Sequence, residues 1–455
     1  MSRFHSRLAT QVAARPHALA LLCEGRYWSY LQFDAEVAAW RARLAGQGLA
    51  RGQAFGWLGW NSVAMLAALF ACASSGLRFV PLNTRLAVPE RMAIARHAGL
   101  AACHADTDFE VPAVDASHDI GEPDDLLLAY TSGTTGQPKG AIHTQAAMCA
   151  NLDAAIAAQR LDASTRTLAV LPLFHVGGLC IQVLPTLAVG GVVNLHTRFD
   201  AGAWLADVQA WRPTTSLLVP ATMRALIEYP QWASTDLSSL AFVNTGSSII
   251  PRPMIDAFHA RGVPVCQVYG ATETGPVTLV LKPDEAMAHP GSAGRPALGV
   301  EVRLESGEVQ VRAANLARGY HRLVDAPAFA GGWFHTGDLA RVDADGFHEI
   351  VGRLDDRIIS GGENIDPAEI ERIALADPAV AEAAVVGVAD ARWGEVPVLA
   401  VVARPDAVTD LARLRAAFEA QLAHFKHPRR IIVVDALPKT ALGKVKKSEL
   451  AQRLA

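Results

Sequence analysis

The sequence lacks the cysteine pattern of a disulfide framework or of a zinc site. Its six cysteines lie far apart, and no two of them form a Cys-x-x-Cys pair. Disulfide scaffolds are short and rich in cysteine, and structural zinc sites use closely spaced cysteine pairs. The spacing therefore predicts reduced thiols in a cytoplasmic protein.

Long apolar runs and long runs of one charge are also missing. The longest apolar run, residues 63–74, is too short to cross a bilayer, and no signal-peptide core follows the N-terminus. The formal net charge is −4, with 41 basic and 45 acidic residues and no long basic stretch. These absences argue against a membrane span and against nucleic acid as the main partner.

The composition does supply material for several hydrophobic cores. Apolar residues make up 51% of the 455 residues and charged residues 19%, which is typical of a globular chain of two or three domains. Helical and strand patterns alternate from the N-terminus, with a capping box at Ser29–Gln32 and Asn61 as the predicted cap of the apolar helix. The main strand predictions are residues 168–171, 192–195, 216–219, 241–244 and 265–268. This alternation predicts layered sheets covered by helices.

The pattern changes twice towards the C-terminus. Beyond residue 296 it predicts short strands and turns. The last hundred or so residues have the pattern of a separate small α+β unit, with a helix over 367–375 capped by Asp366 and strands at 383–388, 398–402 and 431–434. The predicted domains are residues 1–353 and 354–455.

Residues 130–140 form the most informative stretch. After a buried strand, it combines four Ser/Thr hydroxyls, three glycines and Lys139. Hydroxyls and backbone N–H groups are phosphate ligands, and glycine lets the backbone approach closely. An ordinary surface loop is the alternative. A Walker-type P-loop does not fit, because Lys139 is followed by Gly140 and not by Ser or Thr.

Further polar segments follow predicted strands. Residues 267–275 place Tyr269 and Glu273 where a strand ends, the usual ligand-binding edge of an α/β sheet. Glu273 is a hard oxygen ligand suited to Mg²⁺. Taken alone, each segment also fits an ordinary turn.

Taken in order, the segments resemble those of the adenylate-forming enzymes, which include acyl- and aryl-CoA ligases, peptide-synthetase adenylation domains and luciferases. The resemblance covers nearly the whole chain and rests on residues 130–140, 171–178, 267–275, 336–338, 352–371 and 438–445. It implies an α/β fold: a large N-terminal domain of two α/β sheet subdomains plus a distorted β-barrel, and a small mobile α+β C-terminal domain.

The resemblance also implies residue roles. The residues that would bind ATP or AMP are Thr131, Ser132, Gly133, Thr134, Thr135, Gly136, Lys139, Gly246, Ser247, Tyr269, Gly270, Ala271, Thr272, Asp338 and Arg353. The catalytic group would be Lys444, Thr272, Glu273 and His175, with Glu273 as the metal ligand. The acyl pocket would be lined by His175, Val176, Gly177, Gly246, Gly270, Pro276 and Val277. Asp355 would be a hinge, and CoA would contact Ser360, Gly361 and Gly362.

The implied function is an ATP-dependent carboxylate–CoA ligase that uses Mg²⁺. Acid and ATP would give acyl-AMP and pyrophosphate, and CoA would then release acyl-CoA and AMP. The expected acid is aromatic or of short to medium chain length. The alternatives are a long-chain fatty acid, o-succinylbenzoate, or a nucleotide-binding non-enzyme on the same fold. The expected partners are the acid, ATP and CoA, with a homodimer left open.

Overall fold

The computed structural model describes residues 2–107, 109, 111–112, 120–131, 139–246, 250–324, 326–360, 363–390, 393–405, 407–440 and 443–455, with residues 363 and 364 described by their backbone alone. The following bounds and contacts refer to these ranges.

The strands alternate with helices for most of the chain. In chain order they are β1 (Leu19–Cys23), β2 (Arg26–Ser29), β3 (Ala54–Leu58), β4 (Arg78–Pro81), β5 (Leu100–Ala105), β6 (Asp125–Thr131), β7 (Lys139–Thr144), β8 (Arg166–Ala169), β9 (Val192–Leu195), β10 (Thr215–Leu218), β11 (Phe242–Thr245), β12 (Val265–Tyr269), β13 (Leu279–Val280), β14 (Arg295–Pro296), β15 (Val300–Glu305), β16 (Glu308–Ala313), β17 (Phe334–Val342), β18 (His348–Arg353), β19 (Ile358–Ser360), β20 (Glu363–Ile365), β21 (Val380–Asp390), β22 (Gly394–Ala403) and β23 (Arg430–Val433).

The helices cover the faces of these sheets. They are α1 (Arg3–Ala14), α2 (Tyr30–Gly46), α3 (Val63–Ser75), α4 (Val88–Ala98), α5 (Gln145–Gln159), α6 (Val176–Gly178), α7 (Leu184–Ala188), α8 (Ala201–Ala210), α9 (Pro220–Ile227), α10 (Arg252–His259), α11 (Pro367–Leu375), α12 (Leu411–Gln421) and α13 (Lys447–Leu454). A π-helix, Leu179–Val183, joins α6 to α7. No helix of the described residues combines the length and apolarity that crossing a membrane requires.

Two mainly parallel sheets form the first part of the fold. One has the strand order β5-β3-β4-β6-β7, and the other has the order β14-β13-β12-β11-β10-β8-β9-β1-β2. In the longer sheet, β8 to β12 and β1 pair in parallel, while β2, β13 and β14 are antiparallel additions at its edges. Helix α3 is buried along nearly its whole length, as its unbroken apolar run predicts. The α/β class expected from the sequence is confirmed.

Two smaller sheets follow. Strands β15 to β18 make an antiparallel sheet, in the region where the sequence predicts a distorted β-barrel. Strands β19 to β23 make the last sheet, in which β23 pairs in parallel with β22, and α11 and α12 pack against it. No sheet of the described residues is shared across the predicted boundary at 353/354, which itself stays a prediction.

Of two predicted helix caps, Asn61 is wrong, and Asp366 is confirmed in position but without a side-chain capping bond. Helix α3 is capped by Ser62, whose hydroxyl accepts from the Met65 N–H at 3.2 Å. The Asn61 side-chain amide instead forms hydrogen bonds with distant backbone groups. Asp366 stands at the cap position of α11 but makes no capping hydrogen bond, because its carboxylate accepts from Arg357 at 3.1 Å. The capping box at Ser29 is confirmed.

Candidate active site

The predicted phosphate loop begins and ends on two paired strands. Thr131 ends β6, Lys139 begins β7, and the two residues are partners in the antiparallel ladder. The ends of the loop are therefore fixed at one edge of the shorter α/β sheet. Ser132, Gly133, Thr134, Thr135 and Gly136 lie outside the described residues.

Tyr320 links the two charged groups that the sequence assigned to phosphate and metal. The Lys139 ammonium lies 5.5 Å from the centre of the Tyr320 ring, a cation–π contact. The Tyr320 hydroxyl donates to Oε1 of Glu273 at 2.7 Å. Burial raises the pKa of this hydroxyl and the neighbouring Glu273 charge adds to the rise, so it stays a proton donor. Lys139 and Glu273 thus meet at one tyrosine.

Backbone hydrogen bonds explain why Tyr320 lies there. The Ile142 N–H of β7 donates to the Gly319 carbonyl at 3.0 Å, and the Ala317 N–H donates to the Glu273 carbonyl at 2.7 Å. The segment before Tyr320 is therefore bonded both to the strand that follows the phosphate loop and to the turn that carries Glu273.

An ion pair with one buried partner anchors the same segment. Arg318 donates through Nε and Nη2 to the two carboxylate oxygens of Asp125, at 2.7 and 2.8 Å. The Asp125 side chain is only 1% exposed. A bidentate arginine–carboxylate pair fixes orientation as well as distance. Because Asp125 begins β6, the pair joins the Tyr320 segment to the strand that leads into the phosphate loop.

A second cluster forms where Tyr269 meets the predicted ribose site. The Tyr269 hydroxyl donates to Oδ2 of Asp338 at 2.8 Å, and Nη1 of Arg353 lies 2.8 Å from Oδ1 of the same carboxylate. Burial raises the pKa of Asp338 above its ordinary value, although the Arg353 guanidinium opposes the rise. Burial also raises the pKa of the Tyr269 hydroxyl well above its ordinary value.

Strand register brings this second cluster together. Tyr269 is the last residue of β12, and Asp338 in β17 is the ladder partner of Arg353 in β18. Gly337 has φ = +69°, a left-handed conformation that favours glycine, and its N–H donates to the Glu308 carboxylate at 3.0 Å. Gly337 therefore gives β17 a local irregularity next to Asp338, whose carboxylate faces the Tyr269 hydroxyl.

The turn after β12 depends on a glycine and on a buried asparagine. A Cβ at Gly270 would lie 1.8 Å from the carbonyl oxygen of Pro276, so no larger residue fits without movement of the backbone. Asn315, which is 3% exposed, donates to the carbonyl oxygens of Thr274 at 2.9 Å and Val277 at 3.1 Å. No sequence signal identified Asn315, since its partners lie about 40 residues away in the chain.

His143 supports the same turn from β7. It is 1% exposed, and burial lowers its pKa to about 4, although a hydrogen bond with the backbone of Thr272 opposes the shift. Thr272 and Glu273 belong to a 3₁₀ turn that follows Ala271. A neutral histidine therefore lies behind the predicted α-phosphate contact.

Lys444 reaches the second cluster from the C-terminal part of the chain. Its ammonium is close enough to Arg353 and Asp338 for both charges to affect it. Although the residue as a whole is exposed to solvent, desolvation of its ammonium lowers the pKa of that group. The Arg353 charge adds to the lowering, and the Asp338 charge opposes it. A tight turn presents it: the Thr440 N–H donates to the Lys444 carbonyl at 2.7 Å, and Gly443 has φ = +81°.

Contacts with α9 hold this turn in place. Arg224 of α9 donates to the Ala381 carbonyl at 2.6 Å and lies 3.3 Å from the Glu382 carboxylate. Lys439 pairs with the same Glu382 at 2.5 Å. The pairs connect the segment that carries Lys444 to the sheet that carries Tyr269.

The predicted acyl pocket is lined by glycines with different amounts of free space. A Cβ at Gly246 would lie 2.4 Å from the Val268 carbonyl oxygen, whereas a Cβ at Gly177 would meet nothing nearer than Ile181 at 4.0 Å. Val277 is 1% exposed. Gly246 is therefore required by the close backbone approach, and Gly177 leaves open space. Ser247 lies outside the described residues.

His175 is held neutral beside this pocket. Burial lowers its pKa to about 3, and the positive charge of Arg85 adds to the lowering. Its Nε2 atom has no hydrogen-bond partner among the residues that the structure describes. A histidine that stays neutral at physiological pH can line a pocket or offer a hydrogen bond, but it is poorly suited to carry a proton.

Asn61 positions the segment that contains His175. Its Nδ2 donates to the carbonyl oxygens of Leu171 at 2.9 Å and His196 at 3.0 Å, and its Oδ1 accepts from the Leu173 N–H at 2.8 Å. The sequence placed Asn61 at a helix end, so this role was missed.

The predicted hinge and CoA strip are partly described. Asp355 is exposed in the 3₁₀ turn Leu354–Asp356, between β18 and β19. Ser360 ends β19 and is 8% exposed. Gly361 and Gly362 lie outside the described residues.

The carboxylates fit Mg²⁺ that arrives with a nucleotide. Among the described residues, no group of three or more His, Cys, Asp or Glu side chains could hold a metal ion. Mg²⁺ on ATP usually takes one or two protein carboxylates and completes its shell with phosphates and water. Glu273, placed by Tyr320 across from Lys139, offers one such ligand.

Comparison with known proteins now identifies the class. Residues 8–121 and 104–321 match the family described as AMP-binding enzyme, and residues 369–444 match the AMP-binding enzyme C-terminal domain. This chain therefore belongs to the AMP-binding enzyme family.

Similar proteins are CoA ligases. The chain is 38% identical to an indoleacetate–CoA ligase of Aromatoleum aromaticum, over 97% of this chain and 96% of that protein. It is also 38% identical to a feruloyl-CoA synthase of Amycolatopsis, over 96% of each. Its fold matches o-succinylbenzoate CoA synthetase from Bacillus subtilis in complex with the acyl-adenylate intermediate, with a TM-score of 0.89 and 30% identity over 99% of this chain and 98% of that one.

These relatives confirm the predicted reaction class, an AMP-forming acid–thiol ligase that works through an acyl-adenylate. The predicted ATP and Mg²⁺ are also confirmed, since the Bacillus enzyme was solved with both, at a TM-score of 0.87 and 30% identity over 98% of each chain. CoA is the second substrate of this class of ligase.

Proposed function

We propose that this ligase activates an aromatic or short- to medium-chain carboxylic acid, and that the two clusters described above are its nucleotide site. The observation that carries the proposal is the convergence of Tyr269, Asp338, Arg353 and Lys444, which come from four separate stretches of the chain.

In the nucleotide site, Asp338 would accept the ribose hydroxyls, and Arg353 would hold its carboxylate in place. Tyr269 would offer its ring to adenine while its hydroxyl stays on Asp338. The raised pKa of Asp338 reflects a buried carboxylate, and two hydroxyl donors from ribose would stabilise its charged form.

At the phosphates, Lys139 and the hydroxyls of residues 131–135 would bind the β- and γ-groups, and Thr272 would contact the α-phosphate. Mg²⁺, held by Glu273, would neutralise the charge that builds up on the phosphate oxygens. Tyr320 would keep the Glu273 carboxylate turned towards this position.

Lys444 would act in the first half-reaction, in which the carboxylate attacks the α-phosphate. Two anions must meet there, and a positive charge aimed at the reacting centre stabilises the transition state. The second half-reaction needs a thiol at the same carbonyl, where Lys444 would be in the way. Rotation of residues 354–455 about Asp355 would remove it and bring the strip at Ser360 to the pantetheine arm.

The acid would lie beside His175, Val176, Gly177, Gly246, Gly270, Pro276 and Val277. The open space at Gly177 and the neutral imidazole of His175 support an uncharged ring or a short acyl chain in this pocket. The named acids of the relatives, indoleacetate and ferulate, are both aromatic. His175 would line the pocket without transferring a proton.

A screen of carboxylic acids by pyrophosphate release tests the proposal, with AMP formation followed with and without CoA. We expect aromatic and short- to medium-chain acids to give the highest kcat/KM, and acyl-CoA to form only when CoA is present. A preference for long-chain fatty acids would overturn the acid assignment. Absence of acid-dependent AMP formation would favour the nucleotide-binding non-enzyme instead.

Location and assembly remain part of the proposal. All six cysteines are free, which supports the predicted cytoplasmic location, where thiols stay reduced. Sedimentation analysis would decide between a monomer and the homodimer that the sequence left open.

A further inference from the structure

Three buried amide side chains lie in the core next to the acyl pocket. They are Gln159 at the end of α5, Gln182 in the π-helix and Asn244 in β11. Their exposures are 4%, 1% and 0%. A buried amide destabilises the folded state unless its donors and acceptors are all hydrogen-bonded.

The hydrogen bonds fix which way each amide faces. Gln159 Nε2 donates to the backbone carbonyls of Ile181 at 2.8 Å and Ala155 at 3.2 Å, which can only accept. Its Oε1 must therefore be the acceptor that faces Gln182 and Asn244. Both of these present their amide nitrogen to it, at 3.2 and 2.5 Å. The chain of partners leaves no freedom to exchange O and N in any of the three.

This arrangement leaves two acceptor oxygens without a donor among the described residues. Gln182 Nε2 also donates to the Thr215 hydroxyl at 2.7 Å, so its donors are used. Gln182 Oε1 and Asn244 Oδ1 are buried and have no hydrogen-bond partner among the described residues. An unpaired buried acceptor destabilises the folded state. A donor from outside the protein would remove that destabilisation.

The Gln182 acceptor borders a small cavity next to the segment of the predicted acyl pocket. Gln182 lines a cavity of about 10 Å³ together with Leu171 and Gly178, the first and last residues of the segment that carries His175. Asn244 lies outside this cavity, and its amide nitrogen shares the Gln159 Oε1 acceptor with Gln182. A cavity of this size has room for about one water-sized group.

We propose that the amide oxygen of Gln182 selects aromatic acids that carry an O–H or N–H donor on the ring edge opposite the carboxylate. This inference rests on the proposed function, because it specifies the acid that the same pocket takes. The donor would enter the small cavity and bond to the Gln182 amide oxygen. The competing occupant is an ordered water, which would satisfy the same acceptor and select nothing.

Matched pairs of acids test the inference on the unmodified enzyme. Suitable pairs are 4-hydroxycinnamate with cinnamate, and indole-3-acetate with 1-benzofuran-3-acetate, in which oxygen replaces the ring N–H. We expect kcat/KM for pyrophosphate release to be about 10- to 100-fold higher for at least one donor-bearing acid than for its partner. Equal values in both pairs would overturn the inference.

The variant Gln182→Met removes the acceptor at similar side-chain length. We expect it to reduce the donor preference to within about threefold of unity, by loss on the donor-bearing acid only. The matched control is Gln145→Met, a buried glutamine whose amide donates to Ala73 O at 3.2 Å and accepts from the Phe4 N–H. It should keep the full preference.

The outcomes separate this inference from the proposed function. If no acid of any kind gives AMP, the ligase assignment fails. If both members of each pair are activated equally, or if Gln182→Met keeps the wild-type preference while MgATP binding is unchanged, the ligase assignment stands and the role of Gln182 is wrong. The acid pairs give an answer even if the variant fails to fold.

Discussion

The proposed nucleotide side and the proposed acyl side of the site are built in opposite ways. The nucleotide side holds charged groups in short contacts, such as Arg353 on Asp338 at 2.8 Å, and it draws them from distant segments. The acyl side holds neutral groups: glycines against carbonyls, a histidine whose pKa is lowered to about 3, and buried amides. Charged groups at one end and mainly neutral groups at the other suit a reaction in which a mostly apolar acid takes the AMP part of ATP and pyrophosphate leaves.

This contrast predicts where changes act. Substitutions on the nucleotide side should affect activation of every acid alike, because ATP is common to all of them. Substitutions on the acyl side should change the choice of acid or the stability of the fold.

The largest effect is expected for Lys444→Ala. Loss of one preorganised positive group typically costs a factor of about 100–1,000 in rate. Pyrophosphate release should fall by that factor for all acids, while thioester formation from added acyl-AMP should stay near normal. The control is Lys446→Ala, two residues further on. An equal loss in both half-reactions would contradict the role given to Lys444.

Gly270→Ala should damage the fold as well as activity. The added Cβ would lie 1.8 Å from the Pro276 carbonyl oxygen, so the turn that carries Glu273 must move. We expect a loss of about 3 kcal/mol in the free energy of unfolding, measured by denaturant titration. Gly177→Ala, whose Cβ has open space, should stay stable and change only the relative rates with large and small acids. Similar stability losses in both variants would refute the contrast.

Asp355→Pro tests the hinge between the half-reactions. Proline fixes φ, so rotation at this residue should be restricted. We expect thioester formation to fall about tenfold or more, with a much smaller change in pyrophosphate release. Asp355→Ala keeps backbone freedom and serves as the control. Equal losses in the two half-reactions of the proline variant would argue against a hinge there.

Tyr320→Phe separates the hydroxyl of Tyr320 from its ring. It removes the 2.7 Å hydrogen bond to Glu273 and keeps the ring beneath Lys139. We expect MgATP to bind about 3- to 30-fold more weakly, with a higher Mg²⁺ requirement, because the carboxylate loses its orientation. Calorimetry at several Mg²⁺ concentrations measures this without turnover. Tyr27→Phe, at an exposed tyrosine, should change nothing.

The smallest effect concerns acid stability and His143. Its pKa is lowered from 6.5 to about 4 in the folded protein, so the unfolded state binds the proton more readily between these values. The folded state therefore keeps its full stability with respect to His143 above pH 6.5, and it loses stability as the pH falls from 6.5 towards 4. Between pH 7 and pH 5, the free energy of unfolding of His143→Asn should therefore fall by about 1–2 kcal/mol less than that of the wild type. The control is the exposed His17→Asn, and a variant with the wild-type pH dependence would contradict the argument.

Local patterns predicted most of the secondary structure. The strand at Val192–Leu195 and the helix at Pro367–Leu375 have the predicted bounds, and the other named strands are displaced by one or a few residues. The predicted cap at Asn61 was wrong because distant backbone groups bind its side chain, and Asp366 occupies the predicted cap position while its carboxylate accepts from Arg357. Propensity describes what a residue can do locally, and tertiary contacts decide which option it takes.

The motif residues assigned to the nucleotide side could be predicted because each lies in a short segment of unusual composition. Tyr320 and Asn315 could not, since a single tyrosine or asparagine in a loop carries no signal. Their importance comes from partners 47 and about 40 residues away. The roles themselves stay predictions until the variants are measured.

By itself, the sequence determined the alternation of helices and strands, the order of the polar segments and the chemical groups available to them, because these depend on residues that are neighbours in the chain. Only the tertiary structure decided that Lys444 lies near Asp338, that Tyr320 lies between Lys139 and Glu273, and that two amide oxygens have no donor among the described residues. Those outcomes depend on strand register and on backbone approach between residues that are far apart in the chain, and no local pattern encodes such distances.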